Sequence, residues 1–278
     1  MRLGWLTDPH FNFLNLNHWD EFVGGLVGAQ LSGLVITGDI SEADDFDWHL
    51  VRLKQALQVP VYFVLGNHDF YHGEIGDVRS KASAVSGRHL CYLQTSGPQF
   101  IADDWVLCGV DGWADGRIGD YYRSPVRMND FQLIKDLKGL NSERRLRKLR
   151  REGALAAVML KHQLKLATES AQQVVIATHI PPFRESCWYD GGHSDDDWAP
   201  FFCCGAVGWM IRRFAASYPA HRFIVICGHT HHSGRSKIMD NLWTWTGAAD
   251  YGTPKLADII QDSPSPFDAK NDYCFASK

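Results

Sequence analysis

The chain has 278 residues, 45% of them hydrophobic and 22% charged, so it is long enough to bury a large core and has a globular composition. Its net charge of -4 and its pI near 6.3 argue against a surface devoted to nucleic acid. No run of the sequence approaches the roughly 18 apolar residues that span a bilayer, which argues against a membrane protein.

The first quarter of the chain alternates predicted strands with predicted helices. Short apolar runs that end at turn residues predict strands at residues 3–7, 33–37 and 61–65. Apolar residues at helical spacing predict one helix capped by Asn17 and a second that begins at Ser41 and stops before Pro60. Strands that alternate with helices pair in parallel, so we expect a largely parallel sheet.

The remainder of the chain mixes both kinds of element in one domain. We predict a helix at 74–88, antiparallel strands within 89–113, helices within 129–170, a strand at 173–178, a helix at 204–218, a strand at 222–227 and a hairpin within 236–247. Residues 184–200 show no periodicity, and long loops of this kind often close over a binding site, so we interpret them as a lid. We therefore expect a single domain over 1–278, with a helical insertion at about 129–170 and an irregular tail beyond Ser263.

Five predicted strands are followed at once by side chains that can bind metal ions. These are Asp8, His10, Asp39, Asn67, His179, His229 and His231, with His68 next to Asn67. The carboxyl ends of parallel strands are where open α/β sheets place their chemistry. Oxygen and imidazole ligands without cysteine favour Mn, Fe, Zn or Co over a structural zinc site. Seven ligands fit two ions that share a carboxylate and clamp the two oxygens of an in-line displacement at phosphorus.

Each of these residues also has an ordinary structural explanation. Asp8 and Asp39 are suited to caps or Asx turns. His179 is suited to a core, and His229 and His231 to a solvent-exposed loop. Their shared position at five strand ends, in the same sense, is what favours the metal site.

The same residues form a motif series that resembles the calcineurin-like metallophosphoesterases. The family pattern D-x-H, G-D, G-N-H-D, H and G-H-x-H is matched in order, over residues 8–231, by Asp8-Pro9-His10, Gly38-Asp39, Gly66-Asn67-His68-Asp69, His179 and Gly228-His229-Thr230-His231. The resemblance implies an α/β fold of the four-layer α/β/β/α type, with mixed sheets and the site at the C-terminal ends of the strands. It adds a second sheet, which the strand pattern alone indicates weakly.

The resemblance also implies a role for each residue of the motifs. The first metal would be held by Asp8, His10 and His231, and the second by Asn67, His179 and His229, with Asp39 bridging the two. His68 would face the leaving group as an acid or hydrogen-bond donor, and Asp69 would orient it. The attacking group would be a metal-bridging hydroxide, because two cations lower the pKa of a bound water.

The expected activity is therefore metal-dependent hydrolysis of phosphate esters, with two ions of Mn, Fe or Zn. Protein phosphatases of the family continue the second motif as G-D-x-V-D-R-G, whereas this chain reads GDISEADD and has no arginine there. We therefore favour diesters, small or nucleotide-like, over the monoesters that a phosphatase cleaves. A non-catalytic scaffold on the same fold is an alternative from another class, but this chain keeps every ligand and His68.

A nuclease is a further alternative, supported by the basic stretch ERRLRKLRRE at residues 143–152. A solvated helix face is the simpler explanation of that stretch, and the acidic balance of the chain agrees with it.

Candidates for substrate contact lie in loops near the motifs. Arg117, Tyr121 and Arg123 are suited to phosphate binding or base stacking, or else to solvent exposure. Trp188, Tyr189 and His193 would cap the site from the lid, and His72 and His232 flank ligand motifs.

The cysteines and the start of the chain indicate a compartment. Seven cysteines without a CxxC pair argue against an extracellular disulfide framework. The first residues lack the basic and apolar segments of a signal peptide. We therefore expect a cytoplasmic protein.

Overall fold

Thirteen strands and eight α-helices build residues 1–262, the part of the chain that the computed structural model describes. The strands are β1 (Arg2–Leu6), β2 (Gly33–Thr37), β3 (Val61–Val64), β4 (Leu90–Tyr92), β5 (Gln99–Ala102), β6 (Trp105–Gly109), β7 (Gln173–Ala177), β8 (Trp188–Tyr189), β9 (Gly192–His193), β10 (Arg222–Cys227), β11 (Gly234–Met239), β12 (Leu242–Thr246) and β13 (Leu256–Gln261). The helices are α1 (Leu16–Gly28), α2 (Phe46–Leu57), α3 (Ile75–Val85), α4 (Leu93–Ser96), α5 (Asp130–Leu133), α6 (Ser142–Thr168), α7 (Ala199–Phe202) and α8 (Gly205–Ser217). The predicted irregular tail beyond Ser263 lies outside the described residues.

The larger strands form two mixed sheets. The first has the order β13-β1-β2-β3-β4, in which β13 is antiparallel to β1 and the other pairs are parallel. The second has the order β11-β12-β10-β7-β6-β5, with a parallel centre and an antiparallel strand at each edge. Strands β1, β2, β3, β7 and β10 thus lie inside the sheets, and the predicted site residues follow these five strands.

Alternating side chains on these strands create three hydrophobic layers. In β2, Val35 packs between the two sheets, whereas Leu34 and Ile36 pack beneath α1, α2 and α3. In β10, Ile224 faces the other sheet and Val225 packs against α6 and α8. Helices therefore cover both outer faces, and the four-layer α/β/β/α sandwich is confirmed.

Two predicted helix starts are wrong, and each has a local cause. Helix α1 is capped by Asn15, whose side chain accepts the backbone N–H of His18, so the cap is not Asn17. Helix α2 begins at Phe46 and not at Ser41, because the N–H groups of Ile40 and Ser41 are bonded to the distant Asp69.

The strand predictions differ from the structure at the sheet edges. The hairpin of β11 and β12 is confirmed. Within residues 89–113, β5 and β6 are antiparallel as predicted, but β4 pairs in parallel with β3. Strand β13 was missed, because its half-buried sequence LADIIQ lacks a clear alternation.

The two segments with special predicted roles have their own secondary structure. Residues 129–170 hold the short α5 and the 27-residue α6. Residues 184–200 contain a 3-10 helix (Arg184–Ser186), the small β8–β9 hairpin and the start of α7. Their roles as an insertion and as a lid within one domain stay predictions.

Within residues 1–262, no helix combines the length and the apolarity that a bilayer crossing requires. The six cysteines of this region are free thiols in buried positions.

Candidate metal centre

The seven predicted ligands meet where the carboxyl ends of the two sheets come together. Asp8 and His10 follow β1, while Asp39 and Asn67 follow β2 and β3 of the same sheet. The second sheet supplies His179 after β7, and His229 and His231 after β10. The strand ends therefore bring residues together that are up to 223 positions apart.

Four of these residues form a first cluster, consisting of Asp8, His10, Asp39 and His231. One ligand atom from each of them lies within 4.8 Å of every other. The Nε2 atoms of His10 and His231 are 3.1 Å apart, and His231 Nε2 is 3.5 Å from Asp8 Oδ1. Two carboxylates and two imidazoles in this arrangement suit a divalent transition metal.

The other three residues form a second cluster. Asn67 Oδ1 lies 3.0 Å from His179 Nε2 and 2.9 Å from His229 Nδ1, and these two ring nitrogens are 3.2 Å apart. Asp39 Oδ1 lies 3.4 Å from His179 Nε2. The second cluster thus also has one carboxylate within reach.

The outer nitrogens of both histidines in the second cluster are occupied by backbone carbonyls. His179 Nδ1 lies 2.9 Å from the carbonyl oxygen of Thr37, and His229 Nε2 lies 3.1 Å from that of Phe201. A carbonyl only accepts, so these nitrogens carry the protons and the inner nitrogens carry lone pairs. Three hydrogen-bond acceptors then face one another at 2.9–3.2 Å, an arrangement that a cation between them would satisfy.

Asp39 lies between the two clusters. Its Oδ1 faces His179, whereas its Oδ2 is 3.8 Å from His10 Nε2. The backbone N–H of His68 donates to Oδ1 at 2.8 Å and fixes the orientation of the carboxylate. The two oxygens can therefore serve both clusters at once.

Burial dominates the electrostatics of both clusters. Burial lowers the pKa of His10 to about 2, with a further contribution from His68, and lowers that of His229 to about 3, with a contribution from His179. Burial raises the pKa of Asp39 well above its usual range, and the charges of Asp8 and Asp69 raise it further. Neutral imidazoles with free lone pairs are the form that binds a metal ion.

Backbone strain is concentrated at the same residues. Five of the seven predicted ligands have a positive φ although none is glycine, namely Asp8, His10, Asp39, His229 and His231. Such a conformation costs about 1–3 kcal/mol for each residue and tends to persist where function requires it. This strain is an indication of a functional site that is independent of the motifs.

His68 and Asp69 do not form the predicted pair. The oxygens of Asp69 accept the backbone N–H groups of Ile40, Ser41 and Gly66 at 2.9, 3.0 and 2.8 Å. The carboxylate oxygen near His68 Nε2 is instead Oδ2 of Asp39, at 3.9 Å. Asp69 therefore ties two ligand loops together, and the expectation that it orients His68 is wrong.

The side chain of His68 sits at the rim of the clusters. Its ring stacks on Tyr71 with centroids 4.3 Å apart and meets the edge of His10 at 4.6 Å. Burial, together with the nearby His179, lowers the pKa of His68 to about 3, so the ring is neutral near pH 7. Its side chain is 18% exposed, whereas those of His10 and His179 are almost completely buried.

Four residues around the clusters were missed by the sequence analysis. Asp130 and Tyr71 contact Asn67, and Asp130 is distant from it in sequence. Phe13 and Tyr251 are 54% and 51% exposed, and the ring of Tyr251 lies 4.5 Å from His10. The aromatic character of Phe13, three residues after the D-x-H motif, was the available signal for one of them.

The three residues predicted for phosphate contact have partners other than the seven predicted ligands. Arg117 is paired with Asp115 and lines a groove of about 760 Å³ between α6 and α8. Tyr121 is buried and donates to the carbonyl of Ser142. Arg123 is 89% exposed.

The residues predicted to cap the site or to flank the ligand motifs differ in their contacts and exposure. The ring of His193 packs on Trp188, and that of Tyr189 packs on His232. His72 is 59% exposed and faces Glu42.

The basic stretch at residues 143–152 lies at the start of α6 and is partly engaged within the protein. Arg145 stacks over Phe131 and donates to the carbonyl of Leu140. Lys148 is paired with Asp136. These contacts occupy two of its basic side chains within the protein, and the solvated helix face stays a prediction.

Comparison with known proteins agrees with this geometry. The family model of the calcineurin-like phosphoesterases matches residues 1–233. The chain is similar in structure to a dimetal phosphatase from Danio rerio, with 16% identity, a TM-score of 0.53 and coverage of 90% of this chain and 87% of that one. It is also similar to the phosphopantetheinyl hydrolase from Mycobacterium tuberculosis, with 13% identity, a TM-score of 0.60 and coverage of 90% and 89%. At these identities the two likenesses concern the fold, and no curated protein gives a significant match.

Proposed function

The chain belongs to the calcineurin-like phosphoesterase family, and from this membership we propose that it is a dinuclear metal-dependent phosphodiesterase. The observation that carries the proposal is the pair of acceptor clusters on either side of Asp39. A single ion in the first cluster would leave the three facing acceptors of the second cluster without a partner.

Each cluster would hold one ion. The first would be bound by Asp8, His10 and His231, the second by Asn67, His179 and His229, and both by Asp39. Two divalent cations of Mn, Fe or Zn would supply a nucleophile from water near neutral pH and offset the charge that develops at phosphorus. The carbonyls of Thr37 and Phe201 keep the inner nitrogens of His179 and His229 deprotonated for this purpose.

His68 is the residue that we propose to assist the leaving group. It is more exposed than the neighbouring imidazoles, and its ring is held by the stack on Tyr71. A neutral imidazole retains one N–H that can donate to a departing oxygen, and such a positioned donor contributes about 10²- to 10⁴-fold in rate.

The proposed preference for diesters rests on which cationic side chains form ion pairs in the two clusters. Within residues 1–262, the ion pairs of the clusters join histidines to carboxylates and involve no lysine or arginine. A monoester dianion carries one more charge than a diester and would benefit more from such a cation. The missing arginine after Asp39 points in the same direction.

Two aromatic side chains near His10 support the proposal that the substrate carries a planar group. Phe13 and Tyr251 are half-exposed aromatic residues whose rings meet edge-on at 4.9 Å. Aromatic faces of this kind stack on nucleobases with little dependence on sequence. We therefore propose a nucleotide-like diester as the substrate class.

Two matched diesters test this proposal on the Mn-loaded protein. One is the p-nitrophenyl ester of thymidine 5′-phosphate and the other is methyl p-nitrophenyl phosphate. Hydrolysis of either diester should release p-nitrophenol. We expect both to be hydrolysed faster than p-nitrophenyl phosphate, and kcat/KM to be about 5- to 150-fold higher for the thymidine ester. Faster hydrolysis of the monoester would contradict the diester preference. Equal rates for the two diesters would contradict the proposed recognition of a planar group on the substrate.

The cytoplasm is the compartment that we propose for this enzyme. The free thiols of its described cysteines would be kept reduced there. Fractionation of cells that express the tagged protein tests the location, and recovery outside the cytoplasm would contradict it.

A further inference from the structure

Asp130 is a partly buried acid that none of the motifs contains. It is the first residue of α5 in the segment predicted as a helical insertion, 63 positions after Asn67. Its Oδ1 accepts the side-chain N–H of Asn67 at 3.0 Å and the hydroxyl of Tyr71 at 2.9 Å. One oxygen of this carboxylate therefore holds two side chains of the candidate centre.

The contact with Asn67 determines which end of its amide faces the second cluster. A carboxylate accepts and does not donate, so the nitrogen of the amide must point to Asp130. The amide oxygen then points the opposite way, to His179 Nε2 and His229 Nδ1. A flipped amide would place N–H groups where a cation has to be bound.

The contact with Tyr71 extends the effect of Asp130 to the rim of the site. The hydroxyl of Tyr71 is fixed by Asp130, and its ring stacks on His68. The hydroxyl also lies 3.4 Å from the nitrogen of the Asn67 amide. The three side chains thus form one network behind the second cluster.

We propose that Asp130 is a positioning residue that presents the Asn67 oxygen to the metal ion of the second cluster. This inference rests on the proposed dinuclear site. The residues that orient metal ligands typically change metal affinity or activity by about 10- to 100-fold when they are removed.

The test is the binding of Mn²⁺ alone, measured by calorimetric titration of wild-type protein and of three variants. In Asp130→Ala we expect one of the two Mn²⁺ equivalents to bind about 10- to 100-fold more weakly and the other to bind within about threefold of wild type. Asp130→Asn keeps an oxygen at the position of Oδ1, so it should restore the binding of both equivalents. Asp136→Ala removes an acid of the same segment that pairs with Lys148 and accepts the backbone N–H of Ile75, and is the matched control that should bind as wild type does.

The outcomes separate this inference from the proposed function. Wild-type protein that binds fewer than two equivalents would contradict the dinuclear site itself. Two equivalents in wild type and unchanged binding in Asp130→Ala would contradict the role of Asp130 alone. Asp130→Asn as weak as Asp130→Ala, or Asp136→Ala as weak as either, would also overturn it. If Asp130→Ala does not fold, Asp130→Ser, whose side chain is too short to reach Asn67, replaces it.

Discussion

Gly66 lies so close to Asp39 that a Cβ atom at position 66 would fall 2.1 Å from Asp39 Oδ1. The loop after β3 therefore packs its backbone directly on the carboxylate that joins the two clusters. Gly228 has the same relation to Asp8, whose Oδ2 would lie 2.0 Å from an added Cβ. The glycines of the motifs are thus required by close approach between ligand loops.

Gly66→Ala is expected to displace Asp39 and to disturb both clusters. Overpacking of this kind costs about 1–3 kcal/mol in the free energy of unfolding, and metal content should fall below two equivalents. The matched control is Gly24→Ala in α1, where nothing lies within 4 Å and alanine should stabilise the helix by up to about 1 kcal/mol. Urea unfolding and elemental analysis of both variants check this, and a Gly66→Ala protein with full metal content would contradict it.

Asp69→Ala should lower stability and not only activity. Three backbone N–H groups would lose their acceptor, and each buried one costs about 1–3 kcal/mol when left unsatisfied. Asp69→Asn keeps the oxygen that serves Ile40 and Ser41, so its loss should be smaller. Denaturant unfolding in the presence of a chelator gives both values. A stable Asp69→Ala protein with a reduced kcat would favour the catalytic role that the structure does not support.

Asp39→Asn should stabilise the metal-free protein and abolish its response to metal. Asparagine has the shape of aspartate, tolerates the positive φ of this position and removes a buried charge beside Asp8 and Asp69. With chelator present we expect Tm to rise by about 2–6 °C, which corresponds to about 1–2 kcal/mol. With Mn²⁺ added, wild type should gain stability and the variant should not. A lower Tm of the variant in chelator would show that the buried charge of Asp39 does not destabilise the metal-free wild-type protein.

His68→Ala is expected to separate catalysis from metal binding. The loss of a positioned donor should reduce kcat by about 10²- to 10⁴-fold for an alkyl diester and by less for a nitrophenyl ester, whose leaving group needs no proton. His229→Ala should lower metal content as well as rate, because its Nδ1 faces the second cluster. Metal analysis and kinetics on the two substrates are the measurements. Loss of metal in His68→Ala would contradict this separation and indicate that His68 is a metal ligand.

The sequence predicted those parts of the molecule that depend on local pattern. Strand β2 has the predicted bounds because its five residues are all buried and a glycine ends the run. The ends of five such strands lie together because parallel strands share an edge, so the seven candidate ligands could be named from the sequence.

The parts that escaped prediction depend on contacts between distant residues. The start of α2 is shifted by Asp69, which lies 28 positions after Ser41. Asp130 and Tyr251 reach the site from elements with no motif of their own. The partner of His68 could not be inferred from adjacency, because Asp69 points back to the backbone.

The number of bound metal ions tests the central claim most directly. Elemental analysis after reloading with Mn²⁺ should give two equivalents for wild type and one each for His10→Ala and His179→Ala, which remove a ligand from the first and the second cluster. Circular dichroism checks that both variants are folded. A reproducible ceiling of one equivalent in wild-type protein with full diesterase activity would contradict the dinuclear centre.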